Sequence, residues 1–214
     1  MLSINTIVLF ALAALALLLV PGPVVLYTVT RSIHQGRNSG IVSTVAVGLG
    51  DFCHVLMATL GLSALLLSSA IAFSVVKYAG AAYLIYLGIR VLRSPDTVAT
   101  TPDDLANAKQ VSLRNVFTQG FLVSLLNPKT ALFFIAFLPQ FVNPAQGAIT
   151  TQILLLGSLF VLLGVCTNIV YVILASTLGG WIKGNRSFAR GQRYFTGGVY
   201  IALGLTTALT GAEQ

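Results

Sequence analysis

Apolar residues run in six stretches, near residues 4–29, 41–67, 71–92, 116–141, 150–178 and 194–209. A helix needs about 20 such residues to cross roughly 30 Å of hydrocarbon. Polar joints separate them at residues 31–40, 93–115, 139–152 and 179–193, and the second and third meet at a tight turn around Ser68 and Ser69. The pattern predicts six membrane-spanning helices. Lys77 interrupts the third stretch and the sixth is short, so five spans is the alternative. The first stretch lacks a basic leader and continues past Pro21. It is therefore expected to remain as a span rather than be cleaved as a signal peptide.

Two of the stretches carry residues that a membrane helix tolerates poorly. LLVPGPVVLY at residues 18–27 lies over LLNPKTALFF at residues 125–134, so each half of the chain has a Leu-Leu-x-Pro break. Proline removes a backbone donor and breaks the helix. A lysine near the bilayer centre costs roughly 2.5–3.5 kcal/mol on insertion scales. Broken backbone persists at membrane depth where it is buried in protein or lines a watery cavity. Spans one and four are thus expected to be broken around Pro21, Gly22 and Pro23 and around Asn127, Pro128 and Lys129.

Composition and charge strengthen this picture. The 214 residues are 56% hydrophobic and 8% charged, against about 25% charged in a soluble domain. An all-α integral membrane protein follows, without a separate soluble domain and without nucleic acid as partner. Ten of the 12 Lys and Arg lie in alternate joints: Arg31 and Arg37, then Arg90, Arg93, Lys109 and Arg114, then Lys183, Arg186, Arg190 and Arg193. Basic residues favour the cytoplasmic side, which places both termini outside. Residues 105–110 in the long joint read as a short capped helix with no chemistry assigned.

A second internal match supports a repeat. KYAGAAYLIYLGI at residues 77–89 aligns with RYFTGGVYIALGL at residues 193–205 at an offset of 116, which Gly48 and Gly164 share. Residues 1–92 and 116–214 then form two three-helix repeats around a connector at 93–115. Three spans per repeat give inverted topology, with a site near the midplane between discontinuous helices.

The candidate chemistry gathers there. A half-helix starting at Pro23 or Pro128 offers unpaired amides and a positive dipole end, which suits a carboxylate. Lys129 adds a cation at one start. Asp51 is the only acid within a span, about 15 Å along its helix at 1.5 Å per residue, and suits amine binding or proton cycling. His54 follows one turn later as a proton-path candidate. Thr167 and Asn168 stand at the equivalent depth in span five, as neutral counterparts of Asp51. Each candidate has a plainer reading: Lys129 and Asp51 as a fixed ion pair, His54 as a satisfied core histidine, Thr167 and Asn168 as interhelical hydrogen bonds. The span glycines, Gly48, Gly50, Gly61, Gly157 and Gly164 among them, are expected to be close-packing positions. Tyr78, Trp181 and Tyr194 are expected at the interfaces.

The Pro-Gly-Pro break, Gly50-Asp51, the segment GAAYLIYLG at 80–88 and GFLVSLLNPK at 120–129 running to Pro139-Gln140-Phe141 together resemble the LysE/RhtB amino-acid exporter family. The resemblance covers nearly the whole chain. It implies export of amino acids across the bacterial cytoplasmic membrane, driven by protons and without a cofactor, and it allows a homodimer. Few charges near the site lean toward a small neutral substrate. Two other readings use the cysteines. Asp51, Cys53, His54 and Cys166 could serve a divalent-metal exporter, although one intramembrane acid and no His-rich loop argue against a metal. Cys53 and Cys166 could instead form a thiol–disulfide carrier, although neither sits in a Cys-x-x-Cys.

Overall fold

The computed structural model describes residues 2–68 and 112–182, with isolated helical positions between 75 and 93 and between 191 and 208. The described residues are helices and short connections. α1 spans Ile4–Leu18 and opens on Ser3, whose hydroxyl caps the amide of Thr6 at 3.1 Å. α2 spans Pro23–Gln35, with Gly22 as its N-cap and Pro23 in its first turn. The two are bent by 59° at the break between them. α3 spans Arg37–Ser68. α4 spans Leu113–Leu125, capped by Ser112, and α5 spans Pro128–Leu132, capped by Asn127. A π-helical turn at Phe133–Phe137 and a 3-10 turn at Leu138–Phe141 continue α5. After a 3-10 turn at Pro144–Gln146, α6 spans Ile149–Ile182.

Proline chemistry accounts for both breaks. In an unbroken helix the carbonyls of Leu17, Leu19 and Ser124 would bond amides four residues on, at Pro21, Pro23 and Pro128, which have none. Leu17 instead accepts from Val20 N at 3.1 Å, and Ser124 from Asn127 N at 2.9 Å. Each is a tightened last turn. Arg37–Gly61, Leu113–Phe141 and Ile149–Thr177 are long and apolar enough to cross a membrane, and the bent pair Ile4–Leu18 with Pro23–Gln35 adds a fourth candidate.

The first joint differs from expectation. Residues 31–40 are almost wholly helical, and the turn is Gly36 alone, with φ of +84°. Hydropathy marks where a helix leaves hydrocarbon, not where it stops, and a left-handed glycine lets two helices abut with one residue between them. The other described spans likewise outrun their apolar stretches by up to four residues. The third and sixth spans, the connector at 93–115, the repeat pair 77–89 and 193–205, and the basic joint around 183–193 lie largely outside the described residues.

α3 turns its polar residues inward and a row of apolar ones outward. On α3, Ile41, Val45, Leu49, Phe52, Leu56 and Leu60 recur at helical spacing and are all exposed, while Ser43, Val47, Asp51, His54 and Val55 are buried. A soluble helix shows the reverse; a helix facing lipid does this. The apolar core joins Phe10, Ala14 and Leu17 of α1 to the π turn and to Ile153, Leu156 and Phe160 of α6. Phe133 stacks on Phe160 at 4.5 Å and meets Phe10 at 5.8 Å. The π turn places three aromatic rings in this cluster.

Some glycines here are packing devices. A Cβ on Gly50 would lie 2.7 Å from Ser124 Cβ and 2.9 Å from the Phe121 carbonyl, whereas one on Gly61 would meet nothing within 4 Å among the described residues. Gly50→Ala is therefore expected to destabilise the fold by about 1–3 kcal/mol. Gly61→Ala is expected to be neutral or to stabilise by up to about 1 kcal/mol through helix propensity. Thermal unfolding of both variants in detergent checks the contrast.

Candidate functional site

The two breaks meet. Gly22, Asn127 and Lys129 line one cavity of about 30 Å³ together with Asp51, Thr130 and Asn168, while Leu17, Leu18, Val24, Val25 and Phe160 supply its apolar wall. That volume is on the scale of one or two waters. Asp51, Asn127, Thr130 and Asn168 are each at most 5% exposed, so this is a buried polar site among lipid-facing helices.

Three carbonyls at the breaks, those of Val20, Leu19 and Ser124, have side-chain partners from elsewhere in the chain. Lys129 Nζ donates to the Val20 carbonyl at 2.6 Å, and the Tyr171 hydroxyl donates to that of Leu19 at 2.9 Å. At the second break His54 Nε2 lies 3.2 Å from the Ser124 carbonyl. A carbonyl only accepts, so that nitrogen carries the proton. Unpaired carbonyls in an apolar surround are costly, and these contacts answer that cost.

The charged groups are held by neutral partners. Asp51 Oδ1 accepts from the Ser124 hydroxyl at 2.6 Å. Among the described residues Asp51 and Lys129 form no direct ion pair, although both line the cavity. Asn168 Oδ1 lies 3.2 Å from the Thr28 hydroxyl, and its Nδ2 donates to the Gly164 carbonyl at 3.0 Å. Thr167 instead bonds back to Leu163 on its own helix and is absent from the lining.

The two helix starts differ. Asn127 Oδ1 accepts from the Lys129 amide at 3.1 Å, and its Nδ2 donates to Thr130 at 3.0 Å, so α5 arrives already capped. Gly22 offers α2 no such cap, and Val24 and Val25 beside it line the cavity. The bare helix start is thus that of α2. Pro21 and Pro23 shape the break without lining the cavity, and His54 stands behind Ser124, stacked 6.2 Å from Phe134.

Sequence reading did not single out Ser124, Thr28 or Thr130. Ser124 is the hydroxyl four residues before Pro128, the position whose carbonyl the proline strips, and that spacing was the available signal. Cys53 is half-buried and Cys166 exposed; both are free thiols, and neither lines the cavity. No group of three or more His, Cys, Asp and Glu side chains gathers at a metal-binding spacing among the described residues. Tyr78 and Tyr194 are exposed, while the Trp181 side chain lies outside the described residues.

Apolar helices long enough to cross a membrane, packed around a buried polar cavity at two helix breaks, define an integral membrane protein. Residues 15–211 match the LysE type translocator family, and the chain belongs to it. It is 32% identical over 200 residues to a homoserine/homoserine lactone efflux protein of Salmonella typhimurium, covering 93% of this chain and 94% of that one. It is 31% identical over 134 residues to a leucine efflux protein of Salmonella choleraesuis, covering 63% and 62%. A membrane protein of Pseudomonas aeruginosa is 31% identical over 200 residues, 93% of each chain. No solved structure matches. The family is one of efflux transporters, not of enzymes.

The Asp51–Ser124 contact yields a direct expectation. Ser124→Ala leaves Asp51 Oδ1 without its buried donor, which is expected to destabilise the protein by about 1–3 kcal/mol. Ser124→Thr, which keeps the hydroxyl, should lose less. Thermal melts of the purified variants measure both.

Proposed function

We propose that this protein exports amino acids, small neutral ones foremost, from the cytoplasm across the bacterial inner membrane in exchange for protons. The observation that carries this reading is the meeting of both helix breaks, one cation and one anion at a single buried cavity. The formal charges of Lys129 and Asp51 cancel, and they are complementary to a zwitterion's two ends. The substrate carboxylate goes to Lys129 and the uncapped start of α2. The ammonium, or a returning proton, goes to Asp51. Asn127 and Asn168 fix the polar wall between them. Relatives named for homoserine and leucine efflux support the substrate class.

A cavity of about 30 Å³ holds no amino acid, so the site must enlarge on each side in turn. Alternating access by two inverted three-helix repeats supplies that motion, with the 59° break as a place to bend. A substrate carboxylate would take Lys129 from the Val20 carbonyl and so loosen the tie between the two breaks. Both termini are assigned to the outside by the basic joints.

The test is a panel of labelled amino acids in proteoliposomes with an imposed pH gradient. Wild type is expected to move small neutral amino acids against their gradient, and collapse of the pH gradient to abolish this. Lys129→Ala is expected to weaken apparent affinity by about tenfold or more, the scale of a lost charged hydrogen bond. Asp51→Asn is expected to uncouple transport from the pH gradient. Normal transport by a Lys129→Ala protein that is inserted and stable would refute the assignment.

A further inference from the structure

Not all glycines of these helices are there for packing. A Cβ on Gly40, Gly48, Gly50 or Gly157 would fall within 2.7–2.9 Å of Val172, Val165, Ser124 or Val55, so each marks a close approach of helices. Gly164 differs. Its Cβ would sit 3.4 Å from Leu18 Cδ2 and 3.8 Å from Asp51 Oδ2, ordinary contact distances. It lies well inside α6, where glycine is less favourable than alanine. Neither backbone conformation nor packing calls for glycine here.

Its surroundings do. Phe160 and Asn168, one turn to either side on α6, both line the cavity, so Gly164 occupies the same helix face between them. Asp51 Oδ1 is taken by Ser124, and the oxygen next to Gly164 is the other one. Gly22 repeats the arrangement at the second charge. Its Cβ would lie 3.5 Å from Lys129 Cδ and 3.9 Å from Nζ, and its φ of −136° and ψ of −169° suit any residue. Each intramembrane charge therefore has beside it a glycine that the fold itself does not require.

We infer that Gly164 is a specificity-determining position: once the site enlarges, the missing side chain leaves the room beside Asp51 that the substrate's ammonium and Cα substituent occupy. This rests on the proposed amino-acid export and adds which residue limits substrate bulk. A methyl group at residue 164 would narrow the space between Leu18 and Asp51. Bulkier substrates must lose most from it, because a pocket that fits its ligand closely discriminates single methylenes.

The experiment compares the smallest and the bulkiest amino acid that wild type carries, in proteoliposomes, by kcat/KM. Gly164→Ala is expected to lower kcat/KM for the bulkiest by about tenfold or more, and that for the smallest by about twofold at most, given the 10–200-fold effect of one methylene in a pocket. Adding Leu18→Ala to Gly164→Ala gives the space back and is expected to restore the bulkier substrate. An unchanged ranking, or an equal loss for both, in a variant with wild-type thermal stability overturns the assignment while leaving amino-acid export standing. A Gly164→Ala protein that cannot be reconstituted also overturns it, since glycine would then serve packing. A wild type that carries no amino acid overturns the export reading itself and this inference with it.

Discussion

The structure depends on what happens to backbone carbonyls where a span is broken away from water. Pro21, Pro23 and Pro128 strip donors from Leu17, Leu19 and Ser124, and the break itself frees Val20. In hydrocarbon each orphan would cost several kcal/mol. Tightened turns answer part of this, through Val20 N and Asn127 N. Lys129, Tyr171 and His54 answer the rest from other elements. The breaks are thus stable only because α3, α5 and α6 reach across to them, which draws both breaks to the same buried place.

The breaks were legible in the sequence because the missing proline N–H is a local fact. The cost of a lysine in a membrane-length run is local too, and Lys129 and Asp51 do line one cavity. Their partners were not legible. Val20 offers Lys129 only a carbonyl, which every residue has. Ser124 is one hydroxyl among many, and only the packing of α3 on α4 selects it for Asp51. Helix ends were misjudged around Gly36 because hydropathy follows the bilayer boundary, whereas α2 and α3 continue past it on polar residues.

Similarity of letters also concealed a physical difference between the breaks. LLVPGP and LLNPKT align residue for residue, yet the helix caps fall two residues out of register: Asn127 caps α5 opposite Val20, while the cap of α2 is Gly22, opposite Lys129. Gly22 leaves the amides of α2 without a side-chain acceptor. Asn127 spends its oxygen on the Lys129 amide and its nitrogen on Thr130. The α2 start is therefore open to an anion and the α5 start is closed by its own side chain, with Lys129 added where the amide is lost. A pair of helix starts becomes one helix start and one cation.

That Asp51 and Lys129 avoid a direct bond is itself informative. A buried ion pair is strongly destabilised when one partner is withdrawn, by about 3–5 kcal/mol. A site built on such a pair would have to break it before a ligand could use either charge. Here Asp51 rests on a hydroxyl and Lys129 on a carbonyl, hydrogen bonds with smaller net contributions of about 1.5–3 kcal/mol when one partner is charged. A zwitterion on the proposed reading replaces both contacts with bonds between opposite charges, at two ends and at once. On that reading each charge is held by one neutral partner and can be exchanged for a ligand that neutralises both.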